Sequence, residues 1–298
     1  MSCYHPLKGF RTPDGVVFAE LRRHDILGSI EIPCGQCIGC RMRRASEWSL
    51  RCMHEASLWP VNCFVTLTYG RDKLPDNSSL CHRDFQLFLK RARKFYKNKV
   101  IRFYMCGEYG PLNQRPHYHA CLFNVDFRDD RVPSGKSASG QLFYTSPTLE
   151  RLWSHGIVSV QDLTPETAGY CARYIMKKAL GHDAKNAYSS VDEDGVIIER
   201  KPEYAAMSLK PGIGANWFAK YSRDVFPHDF VIQDGVKRQV PKYYDKLAER
   251  WKLDNLDAIE YERQKRGIAA APDNTDDRRS VREAVHLAKT STLLRNLE

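Results

Sequence analysis

The order of short apolar segments along the first two thirds of the chain constrains the fold more than any other feature. Some segments are β-branched and aromatic, as in strands, and others repeat their apolar residues at helical spacing. Strands are predicted at 62–69, 100–106, 117–125 and 156–160, and helices at 42–58, 82–97 and 164–181. This order indicates an α+β fold with an antiparallel sheet and flanking helices.

Composition changes along the chain suggest three parts. Residues 1–60 hold a cysteine-rich segment, 61–235 the alternating strands and helices, and 236–298 a charged, helix-prone tail. Within the tail, 269–279 is expected to be flexible because it is polar and rich in small residues. A polar loop is predicted at 128–140, an exposed hairpin or loop at 183–202, and a turn that caps a helix at 211–214.

The charge balance favours a polyanionic partner. Lys and Arg number 46 against 36 Asp and Glu, which gives a formal net charge of +10. A positive chain can bind nucleic acid or an anionic membrane, so charge alone does not separate these partners. No apolar run reaches about 18 residues, and the first ten residues lack a signal peptide. We therefore expect a cytoplasmic protein with no membrane partner.

Ten cysteines are many for a cytoplasmic chain, and three of them form two overlapping Cys-x-x-Cys pairs. In a reducing compartment this spacing favours a metal site over disulfides, and four ligands would suit a structural zinc. The expected ligands are Cys34, Cys37, Cys40 and, as the fourth, Cys3, with His5 as the next candidate. Reduced cysteines buried near Trp48, or an iron–sulfur cluster, are the alternatives.

A pair of histidines marks the first candidate catalytic group. Residues two apart on a strand point to the same face, so His117 and His119 would project side by side. Glu108 ends the preceding strand and would approach them if the two strands form a hairpin. Two nitrogens and one oxygen can hold a divalent ion and leave positions for a phosphate oxygen and water. Ordinary polar residues on a half-exposed strand are the alternative.

Two tyrosines four residues apart mark the second candidate group. On a helix, Tyr170 and Tyr174 lie about 40° apart, with Arg173, Lys177 and Lys178 close by. The apolar face is complete without the tyrosines, so we predict that they lie outside the core on a cationic strip; core aromatics are the alternative. A tyrosine hydroxyl, with a pKa of about 10, is a weak nucleophile that a neighbouring cation activates. Metal, nucleophile and cation are the parts of phosphodiester transesterification.

These residues resemble the HUH endonuclease superfamily, named for its His-hydrophobe-His motif. The resemblance is strongest to the replication initiators of microviruses, in particular the gokushovirus branch. The motifs that carry it are 33–40, 64–69, 107–110, 115–119, 170–178 and 211–214, in the expected order.

The resemblance implies a five-stranded antiparallel sheet of ferredoxin-like or RNA-recognition-like form. It implies Mg²⁺ or Mn²⁺ held by His117, His119 and Glu108. One of Tyr170 and Tyr174 would cleave single-stranded viral origin DNA, keep the 5′-phosphate and free a 3′-hydroxyl for a host polymerase. The other tyrosine would cleave the regenerated origin, so that the strand is rejoined as a circle. The implied setting is the cytoplasm of a bacterial host, with a host helicase as a further partner.

Other cations are candidates for binding DNA or for helping the chemistry. Lys177 and Lys178 would stabilise charge at the tyrosines. The expected DNA contacts are Arg173 and the basic helix residues Lys90, Arg91, Arg93 and Lys94; a solvated helix face is the alternative for the basic helix. Two other functions remain open: a non-catalytic, zinc-containing DNA- or RNA-binding regulator, and a plasmid initiator or single-strand transposase of the same superfamily.

Overall fold

The computed structural model describes residues 3–18, 25–110, 113–136, 140–174, 188–191 and 195–291, without the side chains of residues 174, 190 and 191. The chain forms two compact units. The larger unit comprises Ala45–Leu256, with Asn296–Glu298, and the smaller unit joins Met1–Arg44 to Asp257–Arg295. This grouping differs from the three predicted segments, because the cysteine-rich segment and most of the charged tail belong to one unit.

The strands and helices of the described residues have the following bounds. The strands are β1 Leu7–Thr12, β2 Gly15–Val17, β3 Gly28–Ile32, β4 Asn62–Thr68, β5 Arg102–Tyr109, β6 Pro116–Phe123, β7 Val132–Lys136, β8 Leu142–Thr145, β9 Val158–Asp162, β10 Ser189–Val191, β11 Ile197–Glu199, β12 Tyr204–Met207, β13 Val231–Gln233 and β14 Val236–Arg238. The helices are α1 Ile38–Ala56, α2 His82–Phe95, α3 Pro147–Trp153, α4 Pro165–Tyr174, α5 Ala215–Val225, α6 Lys242–Trp251, α7 Leu256–Ala269 and α8 Asp276–Ser291.

A seven-stranded sheet in the order β12-β5-β6-β4-β9-β8-β7 forms the centre of the larger unit. All its pairings are antiparallel, which confirms the α+β class. The expected count of five strands is wrong, because the hairpin β7–β8 extends the sheet beyond β9. Strand β7 lies within the predicted loop 128–140. Its exposed polar residues and the bulge between Pro133 and Gly135 remove the alternation by which strands are recognised.

Alternation along the strands directs side chains into two separate cores. Tyr118, Ala120 and Leu122 of β6 pack with the apolar side of α2 and with α3. Cys121 and Phe123 point the other way and pack with residues of α1 and α4. Helices α2 and α4 therefore cover opposite faces of the sheet, which separates the two cores.

A buried ion pair fixes the segment before α5. Arg102 Nε donates to Glu55 Oε1 at 2.6 Å, and Arg102 Nη2 donates to the carbonyl of Pro211 at 2.8 Å. The backbone N–H of Gly214 donates to Glu55 Oε2 at 2.9 Å. The glycine-containing turn at 211–214 thus caps α5, as predicted, and it is held from beneath by a charged pair.

The smaller unit contains the sheet β2-β1-β3 and the C-terminal helices. Tyr4 Oη lies 2.9 Å from His286 Nδ1, and Arg279 Nη1 donates to Glu31 Oε1 at 3.2 Å. The prediction of flexibility for 269–279 is wrong: a 3-10 turn at Ala271–Asn274 leads directly into α8. Arg279 reaches back to Glu31, so distant charges order a segment that its own composition does not.

Within the part of the chain that the structure describes, no helix is both long and apolar enough to cross a membrane.

Candidate metal centre and adjoining tyrosine

The hairpin β5–β6 brings the two histidines and the glutamate together. In its register Glu108 pairs with His117, and Cys106 pairs with His119. Adjacent positions on one face of a sheet place side chains within contact distance. The hairpin on which the expected ligand set depends is therefore present, and it sits in the interior strands of the sheet.

Both imidazoles converge on one carboxylate oxygen. Glu108 Oε1 lies 2.8 Å from His117 Nε2 and 2.7 Å from His119 Nε2. The side chains of Glu108 and His119 are only 2% and 8% exposed, whereas that of His117 is 14% exposed. The ligand atoms of all three residues lie within 4.8 Å of one another, so this group could hold a metal ion.

The groups behind the histidines orient their rings for binding a cation. His117 Nδ1 lies 3.0 Å from the carbonyl oxygen of Arg115; because a carbonyl only accepts, Nδ1 carries the proton and donates it. Thr66 Oγ1 lies 2.9 Å from His119 Nδ1. Hydrogen bonds of this kind fix the Nε2 atoms as ligands. Among the described residues, Glu108 Oε2 is buried and has no hydrogen-bond partner. The donor set and this carboxylate oxygen fit a divalent ion.

Electrostatics keep the carboxylate of Glu108 ionised. Burial raises its pKa, but the charge of His119 and hydrogen bonds from both histidines outweigh burial, so the pKa lies below its usual range. An ionised carboxylate is the form that binds a cation.

Helix α4 places Tyr170 directly against this centre. The ring of Tyr170 meets His119 edge to face, with centroids 4.8 Å apart at 83°. It meets Phe64 in the same manner at 6.1 Å. Tyr170 is 8% exposed, so the prediction that it lies outside the core is wrong. Helix α4 lies over the sheet face that carries the histidines, and the tyrosine belongs both to the core and to the polar site.

Three other residues of the tyrosine motif lie partly or wholly outside the described residues. Tyr174 ends α4, but its side chain is not described; Lys177 and Lys178 are not described at all. Arg173 is half-buried, and its Nη1 lies 3.2 Å from where a Cβ at Gly169 would stand. The guanidinium group of Arg173 therefore folds back along its own helix.

The basic helix α2 lies on the sheet face opposite the histidines. Arg91 donates to the carbonyls of Leu152 and Trp153 at 2.7 and 3.0 Å and so fastens α2 to the end of α3. Arg93 donates to the carbonyl of Ile101 at 3.1 Å. Lys90 and Lys94 are exposed. Contact between DNA and these four cations stays a prediction, but DNA at the histidines would not lie directly beneath them.

Four cysteines form a second group that could hold a metal ion. Cys3 joins Cys34, Cys37 and Cys40, with all four Sγ atoms within 4.8 Å of one another and none in a disulfide. Four sulfurs at about 2.3 Å from a central zinc would lie about 3.8 Å apart. The separation between Cys3 Sγ and Cys34 Sγ is 3.7 Å. Spacing in the sequence thus predicted the cluster, including its distant fourth member.

Backbone N–H groups point at these sulfurs. Tyr4 donates to Cys37 Sγ at 3.3 Å, and Cys34 donates to Cys3 Sγ at 3.3 Å. Burial raises the pKa of Cys37, but donation from Tyr4 and Cys40 outweighs it and lowers that pKa to about 6. Thiolate is the form that binds metal. His5, the other candidate ligand, pairs with Glu283 at 2.7 Å instead.

Sequence reasoning missed two residues of the candidate metal centre. Thr66 faces His119 in the register of β4 with β6, and Phe64 lies beside the same ring. Both lie in the 64–69 motif, which was taken only as a strand. A polar residue inside an apolar strand was the available signal for Thr66.

Fold and site define the chain as an α+β protein with a candidate metal centre on the interior strands of an antiparallel sheet and a tyrosine-bearing helix over it. The family model of the replication-associated protein ORF2 matches residues 62–179. Replication-associated protein VP4 of Bdellovibrio phage phiMH2K is 32% identical over 255 residues, which cover 82% of this chain and 76% of the relative. Replication-associated protein ORF2 of Spiroplasma virus 4 is 32% identical over 290 residues, which cover 89% and 86%.

The chain therefore belongs to the family of phage replication-associated proteins. Replication-associated protein ORF4 of Chlamydia phage 1 is a more distant relative, 28% identical over 229 residues that cover 74% of this chain and 54% of the relative. The resemblance to the phage replication initiators is confirmed. No solved structure matches this chain.

Proposed function

We propose that this protein initiates rolling-circle replication of a single-stranded-DNA phage by cleaving and rejoining origin DNA through a tyrosine. The main support is the edge contact between Tyr170 and His119, with ring centroids 4.8 Å apart. A nucleophile and a candidate metal ligand in contact can act on one phosphorus atom. The relatives, named for replication, support a DNA substrate.

The candidate metal centre would bind Mg²⁺ or Mn²⁺ through His117, His119 and Glu108. When bound, such an ion neutralises charge on the scissile phosphate and orients it. The hydrogen bonds from His117 to the Arg115 carbonyl and between His119 and Thr66 hold both rings for this task. Cations in the segment that follows α4, Lys177 and Lys178, would stabilise the phenolate of the nucleophile.

In the cleavage step the tyrosine oxygen forms a bond to phosphorus, and the bond from phosphorus to the 3′-oxygen breaks. The phenol loses its proton, and the leaving 3′-oxygen gains one from solvent. The products are a 5′-phosphotyrosine and a free 3′-hydroxyl. In the joining step a 3′-hydroxyl attacks the phosphotyrosine and the tyrosine oxygen leaves. Each step exchanges one phosphoester for another, so joining needs no ATP.

Two tyrosines on one helix would allow two successive cleavages. Residues four apart on a helix have Cβ atoms about 6 Å apart, so Tyr170 and Tyr174 can serve one site in turn. Within an infected bacterial cytoplasm, the partners would be single-stranded viral origin DNA, a host helicase and a host polymerase that extends the 3′-hydroxyl.

A covalent-adduct assay tests this proposal. Protein and labelled single-stranded origin DNA are mixed with Mg²⁺ or Mn²⁺ and separated under denaturing conditions. We expect a DNA–protein adduct that requires the ion and disappears when Tyr170→Phe and Tyr174→Phe are combined. Tyr221→Phe, on α5, is the matched control and should leave the adduct unchanged. An adduct that persists in the double variant would refute a role for these tyrosines.

A non-catalytic regulator is the second candidate, because the cysteine cluster resembles a structural zinc site. It predicts only reversible, salt-sensitive DNA retention and no adduct with any ion. A plasmid initiator or single-strand transposase of the same superfamily would form the adduct but prefer other DNA ends. Comparing viral origin DNA with plasmid and transposon-end DNA separates these functions.

For the cysteine cluster we propose a structural Zn²⁺ bound by Cys3, Cys34, Cys37 and Cys40. Elemental analysis should give one zinc per chain, and replacement by Co²⁺ should produce the absorption bands of tetrahedral thiolate coordination. Cys37→Ser should lose the metal, whereas Cys81→Ser, outside the cluster, should keep it. Iron in the purified protein, with visible absorption of an iron–sulfur cluster, would contradict zinc.

A further inference from the structure

A basic cleft lies at the opposite end of β5 from the candidate metal centre. Its volume is about 500 Å³, and its cationic lining side chains are Arg93, Lys97, Lys99, Arg102 and Lys210. Glu55 neutralises Arg102, whereas no carboxylate lines the cleft within the described residues. Four positive charges therefore face one concave surface with no acidic residue among its described lining.

Carboxylates on the neighbouring loop are already engaged. Asp126 pairs with Arg128 at 2.7 Å, and Asp130 accepts hydrogen bonds from Ser146 and Thr148 at the start of α3. These interactions leave the positive charge of the cleft available to a ligand. Four uncompensated cations in one concavity repel one another, so binding an anion there is favourable.

The backbone that carries these cations is held in place. Arg93 Nη2 donates to the carbonyl of Ile101. The N–H of Phe103 donates to Ser208 Oγ at 3.1 Å, and the N–H of Ser208 returns to the carbonyl of Phe103 at 3.0 Å. Arg102 holds the carbonyl of Pro211, next to Lys210. Cations from α2, from the segment after it and from the loop after β12 are thus arranged before any ligand arrives.

We propose that this cleft binds backbone phosphates of duplex DNA that flanks the cleavage site. The choice of DNA rests on the proposed function. Duplex is favoured over single strand because single-strand sites add exposed aromatic rings on which bases stack. Among the described residues, Phe103 is the one aromatic residue of the lining, and its ring packs inward against Phe85 at 5.6 Å.

The distance between the cleft and the metal centre suits a short duplex. Arg102 and Glu108 are six residues apart on one strand, which corresponds to about 20 Å. Duplex DNA rises 3.4 Å per base pair, so this span equals roughly six base pairs. A duplex held at the cleft would present a single strand about half a helical turn away to Tyr170.

Salt dependence of binding tests the proposal. The probe is a labelled duplex of arbitrary sequence, and its affinity is measured by fluorescence anisotropy. Each phosphate contact contributes about 0.9 to the slope of log affinity against log salt. The triple variant Lys97→Gln, Lys99→Gln, Lys210→Gln should reduce the slope by up to about 2.7. Between about 50 and 200 mM salt, its affinity should therefore fall by about 40-fold less than that of the original protein.

The matched control is Lys220→Gln, Lys242→Gln, Lys246→Gln, which removes three exposed lysines of the same unit outside the cleft. It should leave the slope within experimental error. Equal slopes for the cleft variant and the original protein would overturn the proposal, as would equal losses in both triple variants. Thermal melting should be unchanged in both, because the six side chains are exposed.

Two further measurements separate the alternatives. The covalent adduct with a short single-stranded substrate should be the same for the cleft variant and the original protein, so its absence in both would refute the proposed function and leave the cleft proposal intact. Sedimentation with phosphatidylserine vesicles tests an anionic membrane. Vesicle binding that depends on the three lysines, together with an unchanged duplex slope, would overturn DNA as the ligand.

Discussion

At the scale of single residues, two buried glutamates are stabilised in different ways. Glu55 meets a fixed cation, Arg102, and a backbone N–H, so both of its oxygens have partners. Glu108 faces two imidazoles through one oxygen, and its other oxygen has no hydrogen-bond partner among the described residues. The first arrangement is complete within the protein, whereas the second fits a site that a metal ion completes.

The Glu55 arrangement predicts a large loss of stability on neutralisation. Glu55→Gln leaves Arg102 buried without its counter-charge, which should lower the free energy of unfolding by about 3 kcal/mol. Urea denaturation followed by circular dichroism measures the change. Glu249→Gln, exposed on α6, should change it by less than about 0.5 kcal/mol. A Glu55 variant as stable as this control would show that the pair contributes little.

His54 predicts a specific dependence of stability on pH. Burial beneath Trp217 and Tyr244 lowers its pKa to about 4, from 6.5 in the unfolded chain. Above pH 6.5 both states are neutral at this residue. As the pH falls from 6.5 towards 4 only the unfolded chain takes up the proton, so stability is lost, by up to about 3 kcal/mol. His54→Phe should remove this part of the pH profile. Parallel profiles for the two proteins between pH 6.5 and 4 would contradict the shift.

At the scale of elements, the glycine-containing turn before α5 shows how a short motif can have a structural cause. Gly214 has φ of 81°, and a Cβ there would stand 2.4 Å from Tyr244 Oη. Its N–H is bound to Glu55, so the backbone cannot move away without breaking that hydrogen bond. Only glycine fits both the left-handed conformation and the close approach of Tyr244.

A pair of glycine substitutions separates these two effects. Gly195 has φ of 79° and no heavy atom within 4 Å of its Cβ position, so Gly195→Ala should cost only the left-handed backbone term of about 1 kcal/mol. Gly214→Ala should cost at least about 2 kcal/mol more, because overpacking adds to that term. Chemical denaturation of the two variants gives the difference. Equal losses would mean that Tyr244 yields without cost.

At the scale of the whole molecule, each of the two units contains one group that could hold a metal ion. The larger unit holds the histidine and glutamate group in its sheet. The smaller unit joins the cysteine cluster to α8, since Tyr4, next to Cys3, contacts His286. Metal binding in the smaller unit should therefore stabilise segments from both ends of the chain.

Metal removal tests this connection. A chelator strong enough to extract thiolate-bound zinc should make both residues 25–40 and α8 sensitive to trypsin, while the sheet of the larger unit stays resistant. Peptide mass spectrometry identifies the cleaved bonds. Cys40→Ser without chelator should give the same pattern. Cleavage confined to the N-terminal segment would show that α8 is ordered without the cluster.

The sequence by itself determined those features that depend on spacing within a segment. Alternation of two along β6 predicted that His117 and His119 share a face, and the spacing of residues 34–40 predicted the thiolate cluster. The α+β class followed from the order of periodic segments. Each of these depends on strand or helix geometry, or on the spacing of metal ligands, which neighbouring residues impose wherever the segment lies.

The tertiary structure alone decided which segments meet. Helix α4 lies over the histidines, so Tyr170 is buried although its own helix has a complete apolar face without it. Helix α2 lies on the other face, which separates its cations from the metal centre and places one of them, Arg93, in a cleft with Lys210. Burial is a property of what packs against a residue, and contacts between distant segments leave no periodic signal in either one.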